Sequence, residues 1–125
     1  MLHAAMFDAE DARQTFLSLP GAGETQPFGP DVLVYKVGGR MFGTLVIEDD
    51  IGHINLKCDP ERAVELRAEW PGSILPGYHM NKRHWNTLVL DGCIPSRLAR
   101  ELIVHSHGLV VAALPGKIRD GLAAS

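Results

Sequence analysis

The sequence predicts one small α+β domain of two layers, an antiparallel sheet with helices packed on one face. Three observations carry this. The chain has 125 residues, 46% hydrophobic and 22% charged, which suits one domain with a core that needs no disulfide or metal staple. Short apolar runs follow one another through turn pairs of the hairpin type, so the strands they form are antiparallel neighbours. Segments with helical spacing and acidic starts flank those runs.

In chain order, Asp8 is an N-cap with Asp11 three residues on, and Phe7, Ala12, Phe16 and Leu19 fall near one helical face until Pro20-Gly21. Residues 24–28 suit a short edge strand, because Pro27 has no ladder donor. Val32 to Val37 and Arg40 to Ile47 are strands joined by Gly38-Gly39. The turn at Glu48 to Gly52 leads into a strand from His53 to Lys57. Asp59-Pro60-Glu61 starts a helix running to about Trp70, with Ala63, Leu66 and Trp70 on one face. Two Pro-Gly pairs make residues 71–81 an ordered loop. Arg83 to Leu90 is a strand, and a last helix runs from Pro95 to about Leu114, weakened locally by Gly108. The expected core spans about residues 7–116, with a loose tail over 117–125.

Composition narrows the function. No apolar run approaches the roughly 20 residues of a membrane span, and Met1 to Phe7 lacks the basic start of a signal peptide. The expected compartment is the cytoplasm, where Cys58 and Cys93 are buried thiols rather than a disulfide. Twelve Lys and Arg against fifteen Asp and Glu give a net charge of −3, so any nucleic-acid contact must use a local basic patch.

Several segments in series resemble one family. They are Leu19-Pro20-Gly21-Ala22, Pro27-Phe28-Gly29-Pro30-Asp31, Tyr35 to Phe42, Asn55 to Pro60, Pro76 to Thr87, and the helix around His105-Ser106. Together they resemble the MmcQ/YjbR family of small bacterial proteins over roughly Phe16 to Lys117. The resemblance implies a CyaY-like α+β fold and DNA binding through a double-wing arrangement. It brings no catalytic residues to carry over.

The residues themselves suggest where such binding would sit. Lys36 and Arg40 flank the Gly38-Gly39 tip, and Lys82-Arg83 follow a loop with Tyr78, His79, Asn81 and His84 nearby. The four cations would neutralise phosphates, while Tyr78, His79, Asn81 and His84, with Asn86 and Trp85 as further partners, would position a strand. Against this, and favoured over it, His84 and Asn86 on one face of the strand suit tying down the preceding loop, and Trp85, alternating with Thr87 and Val89 on the other, suits the core. The acidic turn Glu48-Asp49-Asp50 repels a DNA backbone and is no wing. A protein-interaction domain using an exposed sheet face or edge strand is the second reading. A small-ligand or metal site at His79 and His84 is the third.

No enzyme, cofactor or metal is expected. There is no G-x-S-x-G, no HExxH, no Cys-x-x-Cys and no Gly-rich phosphate loop followed by Lys and Ser or Thr. Ser106 lies between His105 and His107, but adjacent residues on a helix do not face each other. Cys58 before the Asp59 helix start suits a small buried residue at a strand end.

Overall fold

A computed structural model describes residues 6–78 and 80–123. Its elements are α1 (Ala9–Leu17), β1 (Gly23–Thr25), β2 (Val32–Val37), β3 (Arg40–Glu48), β4 (Ile51–Lys57), α2 (Pro60–Glu69), β5 (Ile74–Pro76), β6 (Trp85–Val89), α3 (Ser96–Ala112) and α4 (Gly116–Ala123). The six strands form one sheet, ordered β1-β2-β3-β4-β6-β5, with every neighbouring pair antiparallel. Helices α1, α2 and α3 cover one face, as expected, and the other face stays open.

Local chemistry sets the helix starts. Asp8 accepts from the Asp11 amide while the Asp11 carboxylate accepts from the Asp8 amide, a reciprocal capping box. Asp59 caps α2 in front of Pro60. The β3–β4 turn places Asp49 and Asp50 at φ 51° and 65°, the doubly left-handed geometry of a two-residue hairpin turn.

The sheet's two faces are decided by one irregularity. Tyr35 pairs with Gly43 and Lys36 with Met41, so Phe42 is an extra residue on β3, a β-bulge. The bulge lets Phe42 and Gly43 both face the helices, while Met41 and Thr44 face the open side. Phe42 packs edge-on against Phe16 and His107. The bulge also opens the β3–β4 ladder, and Ser106 of α3 closes it. Its Oγ donates to the Phe42 carbonyl at 2.6 Å and accepts from the Lys57 amide at 2.9 Å. Ser106→Ala would strand both backbone groups in a fully buried site, so it is expected to cost about 2 kcal/mol in urea unfolding. A loss under about 0.5 kcal/mol would mean the bulge is satisfied some other way.

A second tie joins α1 to the sheet edge. The Arg13 guanidinium meets Glu24 of β1 at 2.8 and 3.1 Å, and the buried Tyr35 hydroxyl donates to the same carboxylate at 2.8 Å. The Arg13 hydrogen bond, reinforced by Tyr35, holds the Glu24 carboxyl below its usual range. A depressed carboxyl stabilises the fold above its ordinary pKa and loses that contribution as pH falls through the lowered value. The melting temperature should therefore fall as pH drops below about 4.3, and Glu24→Gln should flatten that part of the profile. An unchanged acid limb in the variant would place the sensitivity elsewhere.

Four expectations need correction. Cys93 is an exposed thiol, and only Cys58 of the two is buried. The loop over 71–81 contains a strand, β5, which pairs with β6 through Ile74↔Leu88. The tail beyond Lys117 is helical as far as Ala123, because Ile118 and Leu122 fold onto the sheet beside Gly38 and Gly21. On β6 the core face is Asn86 and Leu88, continued by Leu90, whereas half-buried Trp85 looks to the open side with Thr87 and Val89.

Candidate binding face of the sheet

The cations singled out from sequence share one end of the sheet but not one face. Lys36 pairs with Met41 across β2 and β3 and so lies on the open face. Arg40 is exposed at the start of β3. At the tip between them Gly38 is packed in, where a side-chain carbon would stand 2.6 Å from Leu114 and 3.2 Å from Ile118, while Gly39 is exposed. Arg83 is exposed beside α2, in a groove shared with Glu61 and Glu65. Lys82 turns its ammonium back to the Gly77 carbonyl at 3.2 Å.

The loop holding Lys82 is fixed by its own bonds. The Asn81 side chain accepts from the Arg83 amide at 3.0 Å, and the carbonyls of Asn81 and His84 receive the Trp85 and Cys58 amides. Asn86 is buried on the helix side, donating to the Ala63 carbonyl at 3.3 Å, and is not available to a ligand. His84 is half-buried, and His79 lies outside the described residues. Among the described residues no group of three or more His, Cys, Asp or Glu side chains is placed to hold a metal. Burial pushes the Cys58 thiol up, away from the thiolate a nucleophile needs.

What gathers on the open face is a groove that the sequence did not reveal. One lobe, about 510 Å³, is walled by Phe28, Met41, Tyr78 and Met80 and floored by Thr44, Val46 and Asn55. A second, about 360 Å³, adjoins it through Val46, Asn55 and Tyr78 and reaches His53, Leu75 and Thr87. These volumes fall within the range of small-ligand sites. Phe28 is 75% exposed and Tyr78 64%, unusual for aromatic rings. Charge is graded along the strands. Lys36 and Lys57 stand at one end of this face, and Glu48 stands at the other beside the Asp49-Asp50 turn.

The floor is a ladder of side chains. Thr87 Oγ1 accepts from the Tyr78 amide at 3.0 Å and donates to Asn55 Oδ1, and Asn55 Nδ2 donates to Thr44 Oγ1 at 2.9 Å. His53 Nδ1 lies 3.0 Å from the Ile51 carbonyl, which makes it the donor nitrogen and leaves Nε2 as an acceptor in the neutral ring. The sequence signal for this floor was the alternation of Thr44, Asn55 and Thr87 with apolar neighbours, legible only once the bulge fixes which face is open.

The YjbR family model matches residues 17–109, from the end of α1 into α3, and so takes in every strand of the sheet. The chain belongs to the YjbR family. This YjbR domain is 40% identical over 105 residues to the uncharacterized protein YbdF of Escherichia coli O157:H7, covering 84% of this chain and 85% of that one. It is 29% identical over 106 residues to YjbR of Escherichia coli K12, covering 85% and 89%. A crystal structure of Deinococcus radiodurans protein DR2400, a DUF419 domain, superposes with a TM-score of 0.87 at 41% identity, over 98% of this chain and 92% of that one. A Pseudomonas syringae protein gives a TM-score of 0.61 at 30% identity, over 70% and 86%. No helix among the described residues is long and apolar enough to cross a membrane.

Proposed function

We propose that this YjbR domain is a non-enzymatic, cytoplasmic binding module for nucleic acid, and that it takes single strands across the open face of the sheet. The observation that supports this most is the pair of exposed rings, Phe28 and Tyr78, walling an apolar groove on an open antiparallel sheet with lysines at one end. Bases stack on aromatic walls whatever their sequence, while Lys and Arg side chains neutralise the backbone. The acidic end at Glu48 to Asp50 then sets the direction, because phosphates are repelled there and drawn to Lys36 and Lys57. Duplex binding is less well supported. Reading a duplex needs an element that enters a groove, and at the hairpin tip Gly38 is packed against Leu114 and Ile118, which leaves Gly39 alone of the pair exposed.

Fluorescence anisotropy with labelled 12-mers tests this. Single strands should bind more tightly than the matching duplex, and affinity should fall with salt. Two lysines on two phosphates give a log–log slope of about −1.4. Charge reversal at Lys36 and Lys57 together should remove most of that slope. Absence of single-strand binding at low salt sinks the proposal.

A protein partner is the second reading. Leu75, on the three-residue edge strand β5, is exposed beside the groove, and an extended segment could add to that edge. Such docking would be insensitive to salt and indifferent to Lys36 and Lys57.

A further inference from the structure

We infer that a second copy of this chain covers the open face, and that the two copies pair about a twofold axis running across the strands. The pairing stands apart from the nucleic-acid reading. Where both hold, a bound strand and a second copy exclude each other.

The charge pattern selects this arrangement. Lys36 of β2 pairs with Met41 near the start of β3, and Lys57 lies one residue beyond the Leu56↔Gly43 pair on β4, so the two lysines flank the same end of β3. Glu48 closes β3 at the other end, beside Asp49 and Asp50, and all three are exposed. Alternation from Thr44 puts Glu48 on the same face as the lysines. Identical chains that form closed pairs do so about a twofold axis, which sets one patch against itself.

Two sheets stacked face to face leave two choices for that axis. An axis along the strands lays lysine end over lysine end and acidic end over acidic end. An axis across the strands keeps the strand order and reverses each strand over its counterpart. Strand β3 then lies over the partner's β3, and Glu48 comes down at the end where the partner's Lys36 and the partner's Lys57 stand, twice by symmetry. Like charges repel across a face from which water is displaced, and opposite charges attract there, so the second arrangement is the one that forms.

Burial of the groove favours the same pairing. Phe28, Tyr78 and Leu75 expose apolar surface at its sides, and no Lys or Arg is among the described residues lining either lobe. A lone copy leaves that surface in water. A second sheet packed on it about 10 Å away covers it.

Sedimentation velocity over a concentration series tests this on the full chain at low salt. The expected result is a reversible monomer–dimer equilibrium that added salt weakens. Lys36→Glu with Lys57→Glu makes both ends of the face acidic. Glu48→Lys with Asp49→Asn and Asp50→Asn makes both ends basic, and asparagine keeps the left-handed turn. Each variant alone should pair about tenfold more weakly or worse. Mixed in equal amounts, the two should form a heterodimer at least as tight as the unaltered pair. Circular dichroism of each variant separates lost pairing from lost folding. A chain that stays monomeric throughout the series overturns the inference, and so does a dimer of the unaltered protein that is indifferent to salt. Dimerisation that either variant leaves intact places the contact on another surface and overturns it too. A mixture of the two folded variants that does not pair has the same effect.

Discussion

An alanine at Gly43 is expected to destabilise the fold by about 3 kcal/mol, at the upper end of what overpacking a core does, and to lower the melting temperature by about 10 °C. The added carbon would stand 2.2 and 2.6 Å from ring atoms of Phe16. The ring has nowhere to go. It stacks on Tyr35 at 4.1 Å with an interplanar angle of 7°, and Phe42 meets it edge-on at 5.7 Å. Nor can α1 lift easily, since the Asp8 capping box sets its start and Arg13 is tied to Glu24. Gly39→Ala separates packing from backbone effects. At φ 80° an alanine there is strained, but nothing lies within 4 Å of the added carbon, so about 1 kcal/mol is expected. Equal losses in the two variants would show that the tight seat of Phe16 on the bulged strand is not what Gly43 provides.

Gly43 also shows where sequence reading stops. Features fixed by a few adjacent residues were legible: the caps at Asp8 and Asp59-Pro60, the Gly38-Gly39 hairpin, and the bounds of β2. Features that depend on a distant partner were not. An unbroken alternation along Arg40 to Ile47 would put Phe42 and Thr44 on one face. The bulge puts them on opposite faces, and its cause lies in α3, where Ser106 reaches across 64 positions to the Phe42 carbonyl. Strand β5 is three residues containing a proline, too short to show a period. Helix α4 is held by Gly21 and Gly38, residues far upstream. The site divided in the same way. Tyr78 and Lys36 were singled out because an aromatic ring and a cation carry meaning alone. Phe28 and Asn55 served only as family markers and Thr44 not at all, because an ordinary polar residue in a strand becomes informative only when its face is known to be open.

The open face should reveal itself most clearly through its rings. Phe28→Ala and Tyr78→Ala are each expected to weaken single-strand binding by about tenfold or more, the loss of one stacked base. Each should leave stability within about 0.5 kcal/mol, because both side chains are largely exposed. The double variant decides how the strand lies. Phe28 precedes β2 and Tyr78 follows β5, strands that lie four places apart in the sheet, and both rings wall the same lobe. We expect each ring to take a base of its own along a strand that crosses the sheet. The losses should then add, giving a double variant weaker by about a hundredfold, with a coupling energy near zero in a double-mutant cycle. A double variant no weaker than either single one would mean that one base contacts both rings and that the groove closes on it. Two single variants that bind like the unaltered protein would move the nucleic-acid surface off this face, back to the end of the sheet where Arg40 and Lys82 lie exposed.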